Sequence, residues 1–252
     1  MTRDAHPAWW VVPAVRREAA VRLFCFPYAG GSGPVYHRLT QAMPAEIEVV
    51  SLQVPGRGFR LREPPSRDLG ALLAAIEETM APRLDRPYAL FGHSFGALMA
   101  FEVARRLRRS GQPAPLHLFA SAAPAPAATC GLRVSTDLAA PAFWKAVHEL
   151  YGMPAQVLVD PELLDLVVPP LKADLQLMAS YRYQPEAPLA APITAFFGSR
   201  DPRVDRAAAE EWRAETTAAF AVHEVPGPHL YLTDAPAELA GGVRAALGVP
   251  RT

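Results

Sequence analysis

The sequence predicts an α/β fold, a mostly parallel central sheet flanked by helices. Three observations lead there. Short apolar runs alternate with segments of helical periodicity, the rhythm of strand and crossover helix. The 252-residue chain is 50% hydrophobic, enough for one large core. A helical stretch from about residue 124 to 188 then breaks the alternation, as an insertion does. The expectation is a single domain over residues 1–252 with a helical lid subdomain at about 124–188.

Six runs read as strands: "VRLFCF" (21–26), "IEVVSLQV" (47–54), "YALFG" (88–92), "LHLFASA" (116–122), "ITAFFG" (193–198) and "FAVHEV" (220–225). Between the second and third, Leu69, Leu72, Leu73, Ile76, Met80 and Leu84 recur at helical spacing and form one apolar face. "SFGALMAFEVARRLRRSG" predicts the next helix, with a basic last turn and Gly111 as its stop. The alanine-proline stretch "SAAPAPAAT" (121–129) reads as the connection into the insertion. There "PAFWKAVHELYG" and "DPELLDLVVPPLKADLQLMASYRYQP" are helical and strongly apolar, with no strand between them. Pro169 and Pro170 are expected to interrupt the second. Laid over one end of the sheet, the two form a lid; two further covering helices are the plainer alternative.

Charge and cysteine content exclude several function classes. Twenty-five Lys and Arg balance 25 Asp and Glu, without the basic surplus of a nucleic-acid or anionic-membrane binder. Cys25, inside an apolar run, reads as a buried free thiol rather than the disulfide partner of Cys130. The start "MTRDAHPAWWVVP" lacks a basic region followed by an apolar stretch, and no apolar segment has the length to span a bilayer. A cytoplasmic, monomeric protein with no nucleic-acid or membrane partner is the expectation.

"GHSFG" (92–96) has the form G-x-S-x-G, a common pattern that gains meaning from its setting. It follows a strand and opens a helix, the strand-turn-helix context of a nucleophile elbow. Gly92 and Gly96 suit a strained turn in which strand and helix backbones approach closely. A serine hydroxyl needs a base to take its proton and an acid to orient that base. In this architecture the acid follows a late strand and the histidine comes last. Asp201 lies just past "ITAFFG", whereas Asp205 directly precedes "RAAAEEWRAE" and reads as a helix N-cap. His229 lies in a Gly-Pro loop after the last strand, while His223 falls within the strand itself. His93 is expected to pack or hydrogen-bond locally. His6, His37, His117 and His148 fall at no position where this order places the base. Ser94, Asp201 and His229 are therefore the candidate catalytic residues. An oxyanion hole needs two further donors. The N–H of Phe95, the residue after the serine, supplies one. Ala29 or Tyr28 in "FPYAGGSG" (26–33) supplies the other. That loop lacks both G-x-G-x-x-G and the Walker lysine, which argues against phosphate binding.

"LFCFPYAGGSG", "VPGRGFRLREPP", "FGHSFGALMAFEVARRL", "LKADLQLMASYRY", "FFGSRDPRV" and "GPHLYL", in this order, resemble the blocks of type II thioesterases. These are freestanding α/β-hydrolases that accompany polyketide and nonribosomal peptide synthases. The resemblance runs from about residue 21 to 245, and "FPYAGG" and "PGRG" are far more specific than G-x-S-x-G. It implies an α/β-hydrolase fold and hydrolysis of aberrant or stalled acyl groups from the phosphopantetheine arm of acyl or peptidyl carrier proteins. No cofactor or metal of the enzyme's own is implied. The motifs map the triad onto Ser94, Asp201 and His229, and the oxyanion donors onto Ala29 and Phe95. Phe95 stands where methionine is frequent in the family, and Pro228 and Leu230 stand where glycine and phenylalanine are.

Apolar lid residues such as Phe143, Trp144, Leu171, Leu175 and Met178 are expected to enclose a short or medium acyl chain. Arg57, Arg60 and Arg62 of "PGRGFRLR" read as solvated surface arginines, with contact to an acidic carrier surface as the second reading. A generalist serine carboxylesterase acting on small esters is the alternative function. A start at Met1 with no upstream carrier domain favours a freestanding hydrolase over a synthase-embedded cyclase.

Overall fold

All six apolar runs contain strands in the computed structural model, which describes residues 9–129 and 160–250. They are β2 (Val21–Phe26), β3 (Ile47–Leu52), β4 (Tyr88–His93), β5 (Leu118–Ser121), β6 (Ile193–Gly198) and β7 (Phe220–Val225). The sheet is seven-stranded among the described residues, in the order β1-β3-β2-β4-β5-β6-β7, where β1 is Trp10–Val11. Every pairing is parallel except that of β1, which runs antiparallel on β3. With two residues, β1 is too short to show any period. Its anchor is the Trp10 ring, edge-on to Phe24 and Phe26, with Nε1 donating to Thr79 Oγ1 at 3.2 Å.

The described helices are α1 (His37–Ala42), α2 (Leu69–Met80), α3 (Phe95–Arg109), α4 (Pro126–Thr129), α5 (Pro161–Ser180), α6 (Arg206–Glu210) and α7 (Pro236–Ala246). Alternation along the strands sorts the core into two layers. Phe24, Phe26 and Leu90 face α2 and α3, while Leu23, Cys25 and Phe91 face α1 and α7. Each fully buried Phe or Leu contributes roughly 1.5–3 kcal/mol against exposure. The apolar face of α2 is buried at Leu72, Leu73, Ile76 and Met80, and Leu69 and Leu84 pack at its ends. Asp68 caps α2 by accepting from the Ala71 N–H. Beyond the last turn of α3, Gly111 takes φ +71°, as the sequence predicts. Cys25 is a buried free thiol.

The structure corrects two expectations here. Helix α5 runs unbroken through Pro169 and Pro170. The carbonyls that lose their amide partners belong to Asp165 and Leu166, both exposed, so water can satisfy them. Arg57 and Arg60 are not solvated: they are 4% and 7% exposed. Arg60 lies 4.0 Å over the Trp9 ring and donates to Glu63, and Arg57 is paired with Asp174. Arg62 is the exposed one of the three. Cys130, Phe143, Trp144, His6 and His148, with much of the expected lid, lie outside the described residues.

This topology leaves one crevice. β2 connects to β3 on one side, and the chain then returns to place β4 on the other. At that reversal the loops leaving the carboxyl ends of β2 and β4 diverge, the position where open α/β sheets hold ligands. The loop "PYAGGSG" and Ser94 lie at these two ends.

Candidate active site

Ser94 joins β4 to α3 with φ 55° and ψ −118°, a conformation that costs a non-glycine residue about 1–3 kcal/mol. Its surroundings hold it there. A Cβ on Gly92 would lie 2.2 Å from the Gly96 carbonyl oxygen, and one on Gly96 would lie 1.9 Å from that of Phe26. Only glycine lets strand, turn and helix pass this closely. The Ser94 N–H donates to the Ser121 carbonyl at 2.7 Å, fastening the elbow to β5. The side chain is thereby presented at the carboxyl edge of the sheet, beside the N-terminus of α3.

Two loops deliver its partners. The turn after β6 is tied to the loop after β7 by Arg200 N–H to Gly227 O (2.9 Å) and Gly227 N–H to Ser199 Oγ (3.2 Å). This brings together Asp201 and His229, which stand 28 residues apart in sequence, with Nδ1 2.8 Å from Oδ2. His229 Nε2 lies 3.1 Å from Ser94 Oγ. The Asp201 side chain is wholly buried, and burial alone would raise its pKa. The hydrogen bond and charge of His229, with the N–H groups of Arg203 and Val204, outweigh that and hold it below the ordinary value. An ionised Asp201 accepts from Nδ1–H, which leaves Nε2 bare to accept from the Ser94 hydroxyl. The structure thus brings together all three sequence-predicted side chains. Asp205, the rival acid, caps α6 by accepting from the Ala208 N–H at 2.9 Å. His223 is exposed on β7 and stacks on Phe196.

His93 has a larger role than local packing. Fully buried, it places Nε2 2.9 Å from the His229 carbonyl oxygen and Nδ1 3.0 Å from Ser121 Oγ. Ser121 Oγ in turn lies 2.7 Å from the Tyr231 hydroxyl. A carbonyl can only accept, so Nε2 carries the proton and Nδ1 accepts from Ser121. The imidazole braces the backbone of His229 from behind. Its place inside "GHSFG" was the only signal in the sequence, and nothing there named the partner.

Burial, then the neighbouring His229, lowers the pKa of His93 to about 3; the hydrogen bond to the His229 carbonyl and the charge of Asp201 oppose the drop. Burial also lowers His117, to about 4. In the unfolded chain both take up protons near pH 6.5. As pH falls from there, the unfolded state binds protons first, so stability present above that value is progressively lost toward pH 3–4. We expect the thermal midpoint to fall over this window. The fall should be shallower in His93→Gln, which has no proton to gain; an equal slope in both proteins would contradict the burial argument.

On the other side of Ser94, the Gly96 contact with Phe26 sets the loop after β2 against the start of α3. The N–H groups of Ala29 and Phe95 donate to no acceptor among the described residues. A cavity of about 70 Å³ is lined by Ser94, Phe95, His229, Met178, Val204 and Trp212, among others. Of the expected lid residues that are described, Met178 alone lines it. Leu171 and Leu175 are buried elsewhere, with Leu171 against Gly30. Trp212 is fully buried and donates from Nε1 to the Ala123 carbonyl at 2.9 Å. No pattern in the sequence pointed to Trp212. The site brings together a serine hydroxyl on a strained turn, a histidine within hydrogen-bond reach of it and a buried carboxylate, with the Phe95 amide, which has no acceptor among the described residues, directly after the serine.

Comparison with known proteins agrees. The thioesterase domain family model matches residues 21–247. The gramicidin S biosynthesis protein GrsT of Aneurinibacillus migulanus is 37% identical over 231 residues, covering 92% of this chain and 90% of that protein. The RedJ thioesterase from the prodiginine pathway of Streptomyces coelicolor superposes with a TM-score of 0.85 at 36% identity, covering 92% of this chain and 87% of that one. The type II thioesterase BorB, from the borrelidin biosynthetic cluster, does so at 0.86 and 32% identity, covering 95% and 98%. With the family matched over nearly all of its length, this chain belongs to the thioesterase domain family, serine hydrolases of the α/β-hydrolase fold.

Proposed function

We propose that the protein is a type II thioesterase that clears aberrant or stalled acyl groups from the phosphopantetheine arm of carrier proteins in a polyketide or nonribosomal peptide synthase. The observation that carries the reading is the unbroken hydrogen-bond chain from Asp201 through His229 to Ser94. It lies in a chain similar almost end to end to the biosynthetic thioesterases RedJ and BorB. The enzyme acts in the cytoplasm as a monomer and needs no cofactor of its own; the phosphopantetheine belongs to its partner. In keeping with this, no helix among the described residues is long and apolar enough to cross a membrane.

Ser94 Oγ attacks the thioester carbonyl carbon as its proton passes to His229 Nε2. Asp201 holds the tautomer and stabilises the imidazolium that forms. The N–H groups of Ala29 and Phe95 receive the developing oxyanion. The tetrahedral intermediate collapses with cleavage of the C–S bond, and His229 returns its proton to the departing thiol. Water then gives a proton to His229 and attacks the acyl-serine, releasing the carboxylic acid and regenerating the Ser94 hydroxyl. The small cavity lined by Met178 and Trp212 suits a short acyl chain.

The test presents one propionyl group on carrier-protein phosphopantetheine, on a small thiol and as a nitrophenyl ester, with Ser94→Ala as the blank. A much higher kcat/KM for the carrier-bound form is expected. Equal or faster hydrolysis of the free ester would mean a generalist carboxylesterase and overturn the reading.

A further inference from the structure

Resting on that assignment of the site, we infer that Arg57 and Asp174 are positioning residues that hold the Tyr28–Gly31 turn so that the Ala29 N–H, at the turn's centre, serves the oxyanion. The two side chains are 117 residues apart in sequence, and each is almost wholly buried. Arg57 Nη2 donates to Asp174 Oδ1 at 2.9 Å, and Nη1 donates to Oδ2. The pair also grips the turn. Asp174 Oδ2 accepts from the Gly30 N–H at 2.8 Å, and Arg57 Nη1 donates to the Gly31 carbonyl at 3.2 Å.

The turn's own chemistry shows what this achieves. Gly31 N–H donates to the Tyr28 carbonyl at 2.8 Å, which closes a β-turn with Ala29 and Gly30 in its centre. Gly30 has φ +77°, the value a type II turn requires at its third position. Types I and II differ by a flip of the central peptide, whose N–H is that of Gly30. The Asp174 carboxylate captures this N–H and so selects one flip. In a trans peptide the N–H points opposite to the carbonyl. With the Tyr28 carbonyl turned into the β-turn, the Ala29 N–H faces away from it. Neighbouring groups of the turn are held in place, Tyr28 O by Gly31, Gly30 N–H by Asp174 and Gly31 O by Arg57, while the Ala29 N–H has no acceptor among the described residues. Gln53 secures the base of the loop, accepting from the Gly33 N–H and donating to the Arg57 carbonyl at 2.7 Å. Leu171, one turn before Asp174 on α5, packs against Gly30; a Cβ there would lie 3.2 Å from Leu171 Cβ.

A buried ion pair is a poor means of stabilising a fold, since well-packed apolar residues in its place often serve as well. An apolar pair could not hold the two peptide groups of the turn. That separates positioning from stability and supplies the test. The double variant Arg57→Met/Asp174→Leu keeps the bulk and removes both charges together. It should retain a thermal midpoint near that of the wild type while kcat for propionyl thioester falls about 10²-fold, the order seen when one oxyanion donor is lost. KM should stay within about twofold, because the donor acts on the transition state. Affinity for a small alkylboronic acid, whose tetrahedral adduct on Ser94 places an oxygen in the same position, should fall by a similar factor.

Arg57→Lys and Asp174→Asn, assayed alongside, read the same kcat-against-KM split if the double variant does not fold. Lysine cannot grip carboxylate and carbonyl together as a guanidinium does, so a partial loss of kcat is expected. Folded variants with wild-type kcat and boronate affinity would overturn the inference, as would a rise in KM at unchanged kcat. If Ser94→Ala is inactive while these variants are fully active, positioning alone has failed. An active Ser94→Ala would fail the site assignment beneath it.

Discussion

Ser94→Ala is expected to lower kcat on propionyl-carrier protein by about 10⁶-fold, the scale on which a serine hydrolase loses its nucleophile. The substitution removes one oxygen from a nearly buried position and leaves the elbow intact, because the Gly92–Gly96 contact and the Ser94 N–H bond to Ser121 do not involve the hydroxyl. Alanine bears the same strained φ as serine does. Binding of the acyl-carrier should therefore survive, and the thermal midpoint should stay level or rise, as is common when an active-site compromise is relieved. The check is single-turnover release of propionate beside a thermal melt. Loss of activity with a collapsed midpoint would mean that the hydroxyl matters to the fold, and the argument from the elbow would fail.

Asp201→Asn should cost about 10⁴-fold in kcat, with binding little changed. Asparagine at this position can donate to Nδ1, which would turn the imidazole to the tautomer that carries its proton on Nε2. That nitrogen then faces Ser94 with no lone pair to accept from it. Asp205→Asn provides the contrast. Asparagine caps a helix about as well as aspartate, so α6 should be retained and kcat should stay within about twofold. Steady-state kinetics of the two variants side by side decides the acid. Turnover abolished at Asp205 and preserved at Asp201 would reverse the assignment.

Most of the frame, and the three side chains that the fold brings together at Ser94, were legible in the sequence for one reason: each depends on local chemistry. Strands β2 to β7 are short apolar runs, visible before any neighbour is known. Ser94 announces itself through its flanking glycines, Asp205 through the helix it caps, and His229 through the loop after the last strand. What escaped notice depends on partners far away in the chain. β1 is two residues long and owes its place to the Trp10 ring. Pro169 and Pro170 looked like a break, yet α5 continues because the carbonyls they strand lie on exposed residues. Arg57 and Arg60 looked solvated, since an arginine betrays nothing of a carboxylate or an indole that folding will bring to it. Asp174 was visible only as a residue of the block "LKADLQLMASYRY", with nothing to name its partner, and His93 only as a residue of the motif, not as the brace for His229.

The most direct test of the account is to treat the protein with a fluorophosphonate probe and map the adduct by peptide mass spectrometry. A single adduct on Ser94 is expected, absent in Ser94→Ala and strongly slowed in Asp201→Asn, because the probe needs a serine activated by its histidine. An adduct on another residue, or labelling that persists in Ser94→Ala, would contradict it.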